Sequence, residues 1–594
     1  MDSNDKDTLN NLRHSAAHLL AAAVMQLYPN AKRTIGPAIE DGFYYDFDFG
    51  ETKISEEDFS KIERKMAEIL PSWSGFERHE LSADEAKKEY PNNEYKQELI
   101  DEFTQNGEKV TFYKSGEYWD LCKGGHVENP SKEIGAFKLL SIAGAYWRGS
   151  EKNKQSLASN AARMKAKMLT RIYGTAFPTQ KELDDYLKML EEAKRRDHRK
   201  LGKELDLFVF SDLVGAGLPL FTPKGTILRD KLFEFSESLQ LAEGYQKVWI
   251  PHITKTELYK KSGHWDKFGS ELFLVKSQET DDQFVLKPMN CPHHIQIYAS
   301  RKRSYKDLPI RYMETTVQYR DEKAGEMLGL SRVRSISIDD AHIFVKPDQI
   351  EEEFRKIMNM VKQMYEALNM KFKARLSFRD DSDKYLGDKK DWENAQSVLE
   401  DVAKKLKINY FLAEGEAAFY GPKIDIMVTD SLGREWQCAT EQLDFVQPAR
   451  FGITYTDEDG KEKTPYLIHK ALLGSIERFL SVYIEHTGGA FPVWLSPVQV
   501  KIIPISDKNL EYSRKVMEQL REKNIRVELD DRAETMQSKI RAAQMQKVPY
   551  MLIIGGREEE AKKVAVRKRN GEDLGALDLE EFVNKLQAEI ESKS

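Results

Sequence analysis

The hydrophobic and polar positions of the chain change rhythm several times, and each change marks an element or a boundary. Asn10–Tyr28 reads as a helix with alanine and leucine through its middle, stopped by Pro29. FYYDFDF (43–49) alternates aromatic and acidic residues, which predicts a strand. Ser55 with Asp58 forms a capping box for a helix to about Leu70. Residues 80–150 read as mixed strands and short helices, and the polar, alanine-rich stretch 152–167 as an exposed helical insertion. Pro178, Thr179 and Glu182 open a long charged helix to about Lys203; it is polar on most faces, the pattern of a connector between domains. From about 205 to 495 strands and helices mix without regular βαβ alternation, which predicts an α+β, largely antiparallel region. After Pro497 come VQVKIIPI, a helix near 508–523, RVELDD, a helix near 534–546, YMLIIGG, KVAVRKR and a last helix near 578–593, the alternation of a small three-layer α/β domain. The predicted boundaries are therefore 1–177, a linker helix 178–204, 205–496 and 497–594.

Composition narrows the classes. The 594 residues are 40% hydrophobic and 32% charged, enough for several cores at roughly 150 residues per domain. Mean hydropathy is −0.61, and with no run of about 18 apolar residues a spanning helix is excluded. The polar, acidic start MDSNDKDTLN is not a secretory signal. Three cysteines cannot build a disulfide framework in so long a chain, so a reducing cytoplasm is expected. A net charge of −7 argues against coating nucleic acid through overall charge. It leaves room for a structured RNA held by local basic patches such as Arg195/Arg196 and Lys562/Lys563.

Candidate chemistry lies in two regions. In the N-terminal one, His14 and His18 share a helix face, and DLCKGGH supplies Asp120, Cys122 and His126. HxxxH with CxxxH reads on its face as a four-ligand zinc set; HxxxH alone on an alanine-rich helix is as readily a pair of satisfied histidines. In the central region QYRDE (318–322) precedes Arg332 and Arg334 of LGLSRVR, a set of arginines beside acceptors that suits phosphate and an activated carboxylate. GSIERF (474–479) puts Arg478 on the first turn of an apolar helix, and GYQKVWIPHI is a helix end running into a strand that carries Pro251. Each alone is also explained by surface ion pairs and packing. Cys291, His342 and His469, separated by 51 and 127 residues, carry no local metal signal.

In chain order the three central motifs resemble motifs 1, 2 and 3 of class II aminoacyl-tRNA synthetases. The longer strings PMNCPHH (288–294), RVR…DDAHIF (332–344), AFYGPKIDI (418–426), REWQCATEQLDF (434–445) and HKALLGSIERF (469–479) are similar to those of the threonyl branch of that class, and the resemblance runs from His14 to the final helix. It implies a class II antiparallel catalytic core, an α+β editing domain of the bacterial type over 1–177 and an α/β anticodon-binding domain over 497–594. The small ubiquitin-like domain that often precedes the editing domain is expected to be absent, since about a dozen polar residues precede His14.

The resemblance also implies roles. Cys291, His342 and His469 would hold one catalytic Zn²⁺ with an open position, filled by the amino and hydroxyl groups of threonine. Valine, isosteric but without a hydroxyl, would not complete the chelate. Serine lacks only a methyl, worth roughly 1–3 kcal/mol, and would demand editing. Asp340 would bind the substrate ammonium, with Gln437, Thr440 and Gln442 around the amino acid and Tyr420 and Lys423 lining the pocket. Arg320 would contact the α-phosphate and carboxylate, Glu322 the adenine, and Arg332 and Arg478 the outer phosphates of Mg²⁺–ATP. His264, in SGHWD, matches a histidine proposed to assist transfer to tRNA(Thr); packing beside Trp265 is the other reading. His293 and His294 are expected behind the metal ligands or on the helix surface. Between Arg334 and Asp339 the sequence reads SISI, where the family more often has an aromatic at Ile336 and a glutamine at Ile338, so stacking on adenine should be weaker.

In the threonyl branch the His14/His18/Cys122/His126 cluster, with Lys96 and Asp120, is described as working without metal, positioning water to hydrolyse the ester of mischarged seryl-tRNA. Glu558 and Arg567 match candidates for reading anticodon bases. Motif 1 implies a homodimer. Two other readings remain at this point: a related synthetase for serine or proline, which the Cys/His/His set argues against, and a synthetase-like RNA-binding regulator without catalysis, which the retained Arg320 and Arg478 argue against.

Overall fold

The computed structural model describes residues 3–105, 108–147, 167–323 and 325–593, with the backbone alone for 3–6. The insertion expected over 152–167 lies outside the described residues except for Lys167. Contacts divide the chain into two units, Met1–Glu191 and Glu192–Ser594.

The first unit is built on the helix Ser3–Leu27, which starts earlier than its apolar stretch suggested. From Ala16 to Val24 every side chain is buried. The alanines make this possible: small side chains let neighbours close on several faces of the helix. Around it lie the antiparallel strands Lys32–Arg33, Gly42–Asp48, Met168–Phe177 and Ala136–Tyr146, in that order, and the helix Phe59–Ile69 behind its capping box at Ser55. A second antiparallel sheet joins Glu77–Leu81, Val110–Ser115 and Tyr118–Leu121.

The second unit holds an eight-stranded sheet in the order Gln246–Lys247, Ile310–Tyr319, Ser335–Val345, Tyr466–Ser475, Glu435–Asp444, Lys423–Thr429, Lys371–Phe378, Tyr410–Glu414. The outermost pairings are parallel and all the inner ones antiparallel. Alternation of side chains sorts the sheet into two faces. Ala341, Ile343, Leu376, Ile424, Ile426, Leu443, Ile468 and Leu472 enter one core with residues of the helix Ile350–Ala367. Asp340, His342, Arg375, Asp425, Thr440, Gln442 and His469 occupy the alternate positions, on the opposite face. Beyond residue 499 a five-stranded sheet, parallel in its first half and antiparallel in its second, is covered by Leu510–Glu522 and Leu579–Ser592 on one face and by Met536–Met545 on the other.

Two expectations need correction. The charged connector is two helices, Gln180–Arg196 and His198–Glu204, because Asp197 leaves helical geometry and its side chain caps the second through the Arg199 N–H at 2.8 Å. Pro251 is not inside a strand: pairing stops at Lys247 and resumes at Ile253, as expected of a residue with no N–H to donate.

Candidate functional site

His342 and His469 are 127 residues apart yet sit directly opposite each other on adjacent antiparallel strands. His342 Nε2 and His469 Nδ1 stand 3.0 Å apart. Cys291 opens the helix Cys291–Ala299 and brings Sγ to the same point, all three donor atoms lying within 4.8 Å of one another. Atoms bound to one zinc at 2.0–2.3 Å are roughly 3.3–3.8 Å apart, so small adjustments close this set on an ion. Its surroundings fit a metal. The far nitrogen of His469 is 2.9 Å from Asp444 Oδ2, the carboxylate–imidazole arrangement that orients zinc-binding histidines. His342 Nδ1 is 2.8 Å from His294 Nδ1, which places His294 behind a ligand, whereas both ring nitrogens of buried His293 lack a hydrogen-bond partner among the described residues. Gln447 Nε2 reaches Cys291 Sγ at 3.7 Å and Asp444 at 2.9 Å.

The same sheet face carries the remaining candidates. Asp340 accepts from Asn290 Nδ2 at 2.8 Å and Gln318 Nε2 at 3.4 Å, and burial raises its carboxyl above the ordinary value. An ammonium placed there would offset that cost. Tyr420 stacks on His469 with 4.9 Å between ring centres and donates its hydroxyl to Gln442. Gln437, Thr440 and Lys423 converge on a residue the sequence reading did not single out: fully buried Asp425, which accepts from Gln437 Nε2 at 2.8 Å, Thr440 Oγ1 at 2.9 Å and Ser377 Oγ at 2.7 Å, and pairs with Lys423 at 3.0 Å and Arg375 at 2.9 Å. Arg375 also donates to Gln437 Oε1 at 2.8 Å. Asp425, Asp444 and Asn290 lie inside strings already singled out, so spacing could have found them. Arg375, in KFKARLSF, gave no signal.

Arg320 is a half-buried cation whose Nε is buried with no hydrogen-bond partner among the described residues; desolvation lowers its guanidinium below the ordinary value. It lies 5.1 Å over the Phe268 ring. A desolvated guanidinium with free donors is an anion site. Arg332 and Glu322, expected on phosphate and adenine, are here paired with each other at 2.7 Å, and Arg332 also meets Glu326 at 2.8 Å. Arg478 is exposed on the first turn of Ile476–Thr487. That turn is fixed by Gly474, which has φ +66 and donates its N–H to Asp339 at 3.1 Å. Ile336 and Ile338 share the Asp340 face. His264 is fully buried, with Nε2 3.8 Å from Cys291 Sγ and Nδ1 2.7 Å from Ser262 Oγ. Burial, with the charges of His469 and Arg320, takes its ring down to about 3.

The first unit assembles a second site. Three imidazoles, His14, His18 and His126, place Nε2 at 3.5, 3.4 and 3.4 Å from Cys122 Sγ. The mouth of this cluster is a cavity of about 620 Å³ lined also by Lys96, Ile35 and Tyr45. Burial lowers all three rings, His126 to about 3, and raises the Cys122 thiol to about 11. Asp120 is the anchor behind them. Burial alone would raise its carboxyl, but Lys96, at 2.8 Å, and Arg33, at 3.1 Å, hold it well below the usual range. The hydroxyls of Tyr45, Tyr90 and Tyr118 donate to it at 2.6, 2.6 and 2.8 Å. With so many donors on one carboxylate, Asp120 orients Lys96 and leaves His14 and His18 to face the cavity. Arg33, Tyr45 and Tyr90 were not legible in the sequence, since they come from segments far from Asp120; Tyr118 lies two residues before it on the same strand.

In the C-terminal sheet, Glu558 accepts the Gly555 N–H at 2.9 Å, a helix-capping contact, and Arg567 lies 3.4 Å from Asp573.

Comparison with known proteins agrees with this geometry. Residues 273–487 match the class II core domain of tRNA synthetases (G, H, P, S and T), 499–589 an anticodon binding domain, and 110–156 the second additional domain of threonyl and alanyl tRNA synthetases. The threonine–tRNA ligase of Cytophaga hutchinsonii is 46% identical over 99% of this chain and 90% of its own length; that of Rubrobacter xylanophilus is 47% identical over 98% and 89%. Among solved structures, the RNA binding domain of threonyl-tRNA synthetase from Cryptosporidium parvum is 38% identical with a TM-score of 0.63, covering 66% of this chain and 98% of that one. A threonyl-tRNA synthetase from Aeropyrum pernix is 30% identical with a TM-score of 0.59, covering 67% and 97%. The core-domain match over 273–487, on a sheet of this order, makes the chain a class II aminoacyl-tRNA synthetase. Within that class, the chain belongs to the threonine–tRNA ligase family. No helix among the described residues is long and apolar enough to cross a membrane.

Proposed function

We propose that the chain ligates L-threonine to tRNA(Thr) at the expense of ATP and hydrolyses seryl-tRNA(Thr) made in error, acting in the cytoplasm as a homodimer. The observation that carries this reading is the convergence of Cys291, His342 and His469 on the same sheet face as Asp340 and Arg320. Cys291, His342 and His469 would hold Zn²⁺, which supplies open coordination positions suited to the amino and hydroxyl groups of an amino acid.

Asp340 takes the ammonium and so fixes the carboxylate toward Arg320. A threonine carboxylate oxygen then attacks the α-phosphorus of ATP, the bond to pyrophosphate breaks, and Arg320 with the Mg²⁺ that accompanies ATP stabilises the added charge. Asp425 keeps Lys423, Arg375, Gln437 and Thr440 in register around the acyl group. A ribose hydroxyl at the tRNA end attacks the adenylate carbonyl and AMP leaves. In the first unit, the neutral imidazoles of His14, His18 and His126 offer a proton acceptor for a water attacking the seryl ester, with Lys96 turned toward the cavity by Asp120. Leu241, Trp249 and Ile253, all exposed beside the motif 1 region, support pairing of two subunits there; Trp249 keeps 76% of its surface open in the single chain.

Pyrophosphate exchange with threonine, serine, valine and proline, run on protein of measured zinc content, tests the reading. Threonine is expected to exceed valine by a factor of at least about 10³, because valine leaves buried polar partners unmet. Valine turned over as fast as threonine would sink the assignment.

A further inference from the structure

His198 opens the helix His198–Glu204, outside every motif that carried the functional reading. Its ring is 3% exposed and its polar atoms are all engaged. The backbone N–H and Nδ1 lie 3.1 and 2.7 Å from one carboxylate oxygen, Oε1 of Glu485, so Nδ1 donates. Nε2 accepts the Leu330 N–H at 3.1 Å, which requires a bare lone pair and therefore a neutral ring. Asp197, His198 and Glu485 are close enough together to suggest a metal site, but both imidazole nitrogens are already in use.

The two partners of this ring matter. Glu485 lies on the helix Ile476–Thr487, two turns beyond Arg478. Leu330 lies two residues before Arg332 in the loop that returns to the Ser335–Val345 strand. His198 therefore ties the loop of one arginine to the helix of the other. The neighbouring glycine is shaped for this contact. Gly329 has φ +51, and a Cβ there would fall 2.3 Å from His198 Nε2, so only glycine lets the loop reach the ring. A hydrogen bond from Ser331 Oγ to Ser481 Oγ, at 3.0 Å, runs alongside.

We propose that His198 is a positioning residue for ATP: by holding Leu330 and Glu485 at once, it sets the separation of Arg332 and Arg478. This rests on the reading that those arginines take the outer phosphates. Misplacement of such groups by an ångström is enough to lose much of their effect.

The test is threonine-dependent pyrophosphate exchange with the full chain. His198→Asn keeps an N–H near the Nδ1 position for Glu485 and removes the acceptor for Leu330. Its KM for ATP is expected to rise roughly tenfold while the KM for threonine stays within about twofold and the melting temperature within about 3 °C. Gly329→Ala acts on the other side of the same contact and should give the same split. The double variant should be no worse than the more affected single one, since both remove one interaction. An unchanged KM for ATP in both variants overturns the proposal, as does a joint rise of both KM values with a large loss of melting temperature. Arg332→Ala, measured alongside, separates the two levels. If it leaves the KM for ATP unchanged, the phosphate reading fails and the proposal with it. If it raises that KM while His198→Asn and Gly329→Ala do not, the positioning alone is wrong.

Discussion

Ile336 stands on the strand face that also carries Asp340 and His342, the position at which the family resemblance implies an aromatic stacked on adenine. Ile336→Phe is expected to lower the KM for ATP by roughly three- to tenfold, the value of one aromatic contact; equal values for parent and variant in pyrophosphate exchange would remove that account. In the other unit the chemistry rests on neutral rings. Burial holds His14, His18 and His126 below the ordinary imidazole value, His126 down to about 3, so the His126 ring keeps one protonation state near neutrality. Deacylation of seryl-tRNA should therefore show no inflection from His126 between about pH 6 and 8. The stability these rings contribute is complete above the unfolded-state value of about 6.5 and is lost as pH falls through their folded values, toward about 3 for His126. Replacing two members of the cluster tests its role directly: His14→Ala with Cys122→Ala should leave threonylation intact while seryl-tRNA accumulates. Clearance at the parental rate would show that hydrolysis happens elsewhere.

The elements that hold these residues owe their precision to short irregularities more than to their regular parts. The strand Tyr466–Ser475 delivers His469 to the donor cluster and, six residues later, must turn into the helix of Arg478. It does so through Gly474, whose left-handed backbone would set a Cβ 2.4 Å from the Cys438 carbonyl oxygen. Asp339 gathers the N–H groups of Leu472, Leu473 and Gly474 at 3.1 Å each and fixes the same turn. Gly474→Ala is therefore expected to cost roughly 2–4 kcal/mol of stability, read from the denaturant midpoint, and to weaken ATP binding through Arg478. An ordinary midpoint with unaltered kinetics would mean that the turn relaxes freely. The break in the connecting helix at Asp197 is of the same kind: continuous by charge pattern, it is interrupted because the Asp197 carboxylate caps the next helix through the Arg199 N–H.

At the scale of the whole molecule, the division at Glu191/Glu192 assigns the two chemistries to two sets of contacts. A chain starting at Glu192 is expected to keep threonine-dependent exchange and charge serine onto tRNA(Thr) without correction; loss of exchange in that chain would show that the units depend on each other. The sequence alone determined the class of fold, the order of its regions and most of the residues on both sites. Strand and helix periods, caps and prolines are local, and the longer strings were specific enough to carry roles with them. Tertiary structure decided what acts between distant segments. Cys291, His342 and His469 become one donor set because pairing of two strands brings residues 127 apart into register. Arg375 reaches Asp425 only across paired strands, and Asp120 becomes an anchor because Tyr45, Tyr90, Arg33 and Lys96 arrive from distant segments to join Tyr118 of its own strand. Burial sets His264 beside Cys291, and His198 meets two partners that no spacing announces. The physical reason is common to these cases: hydrogen bonds and desolvation depend on distance in space, which periodicity along a chain does not encode.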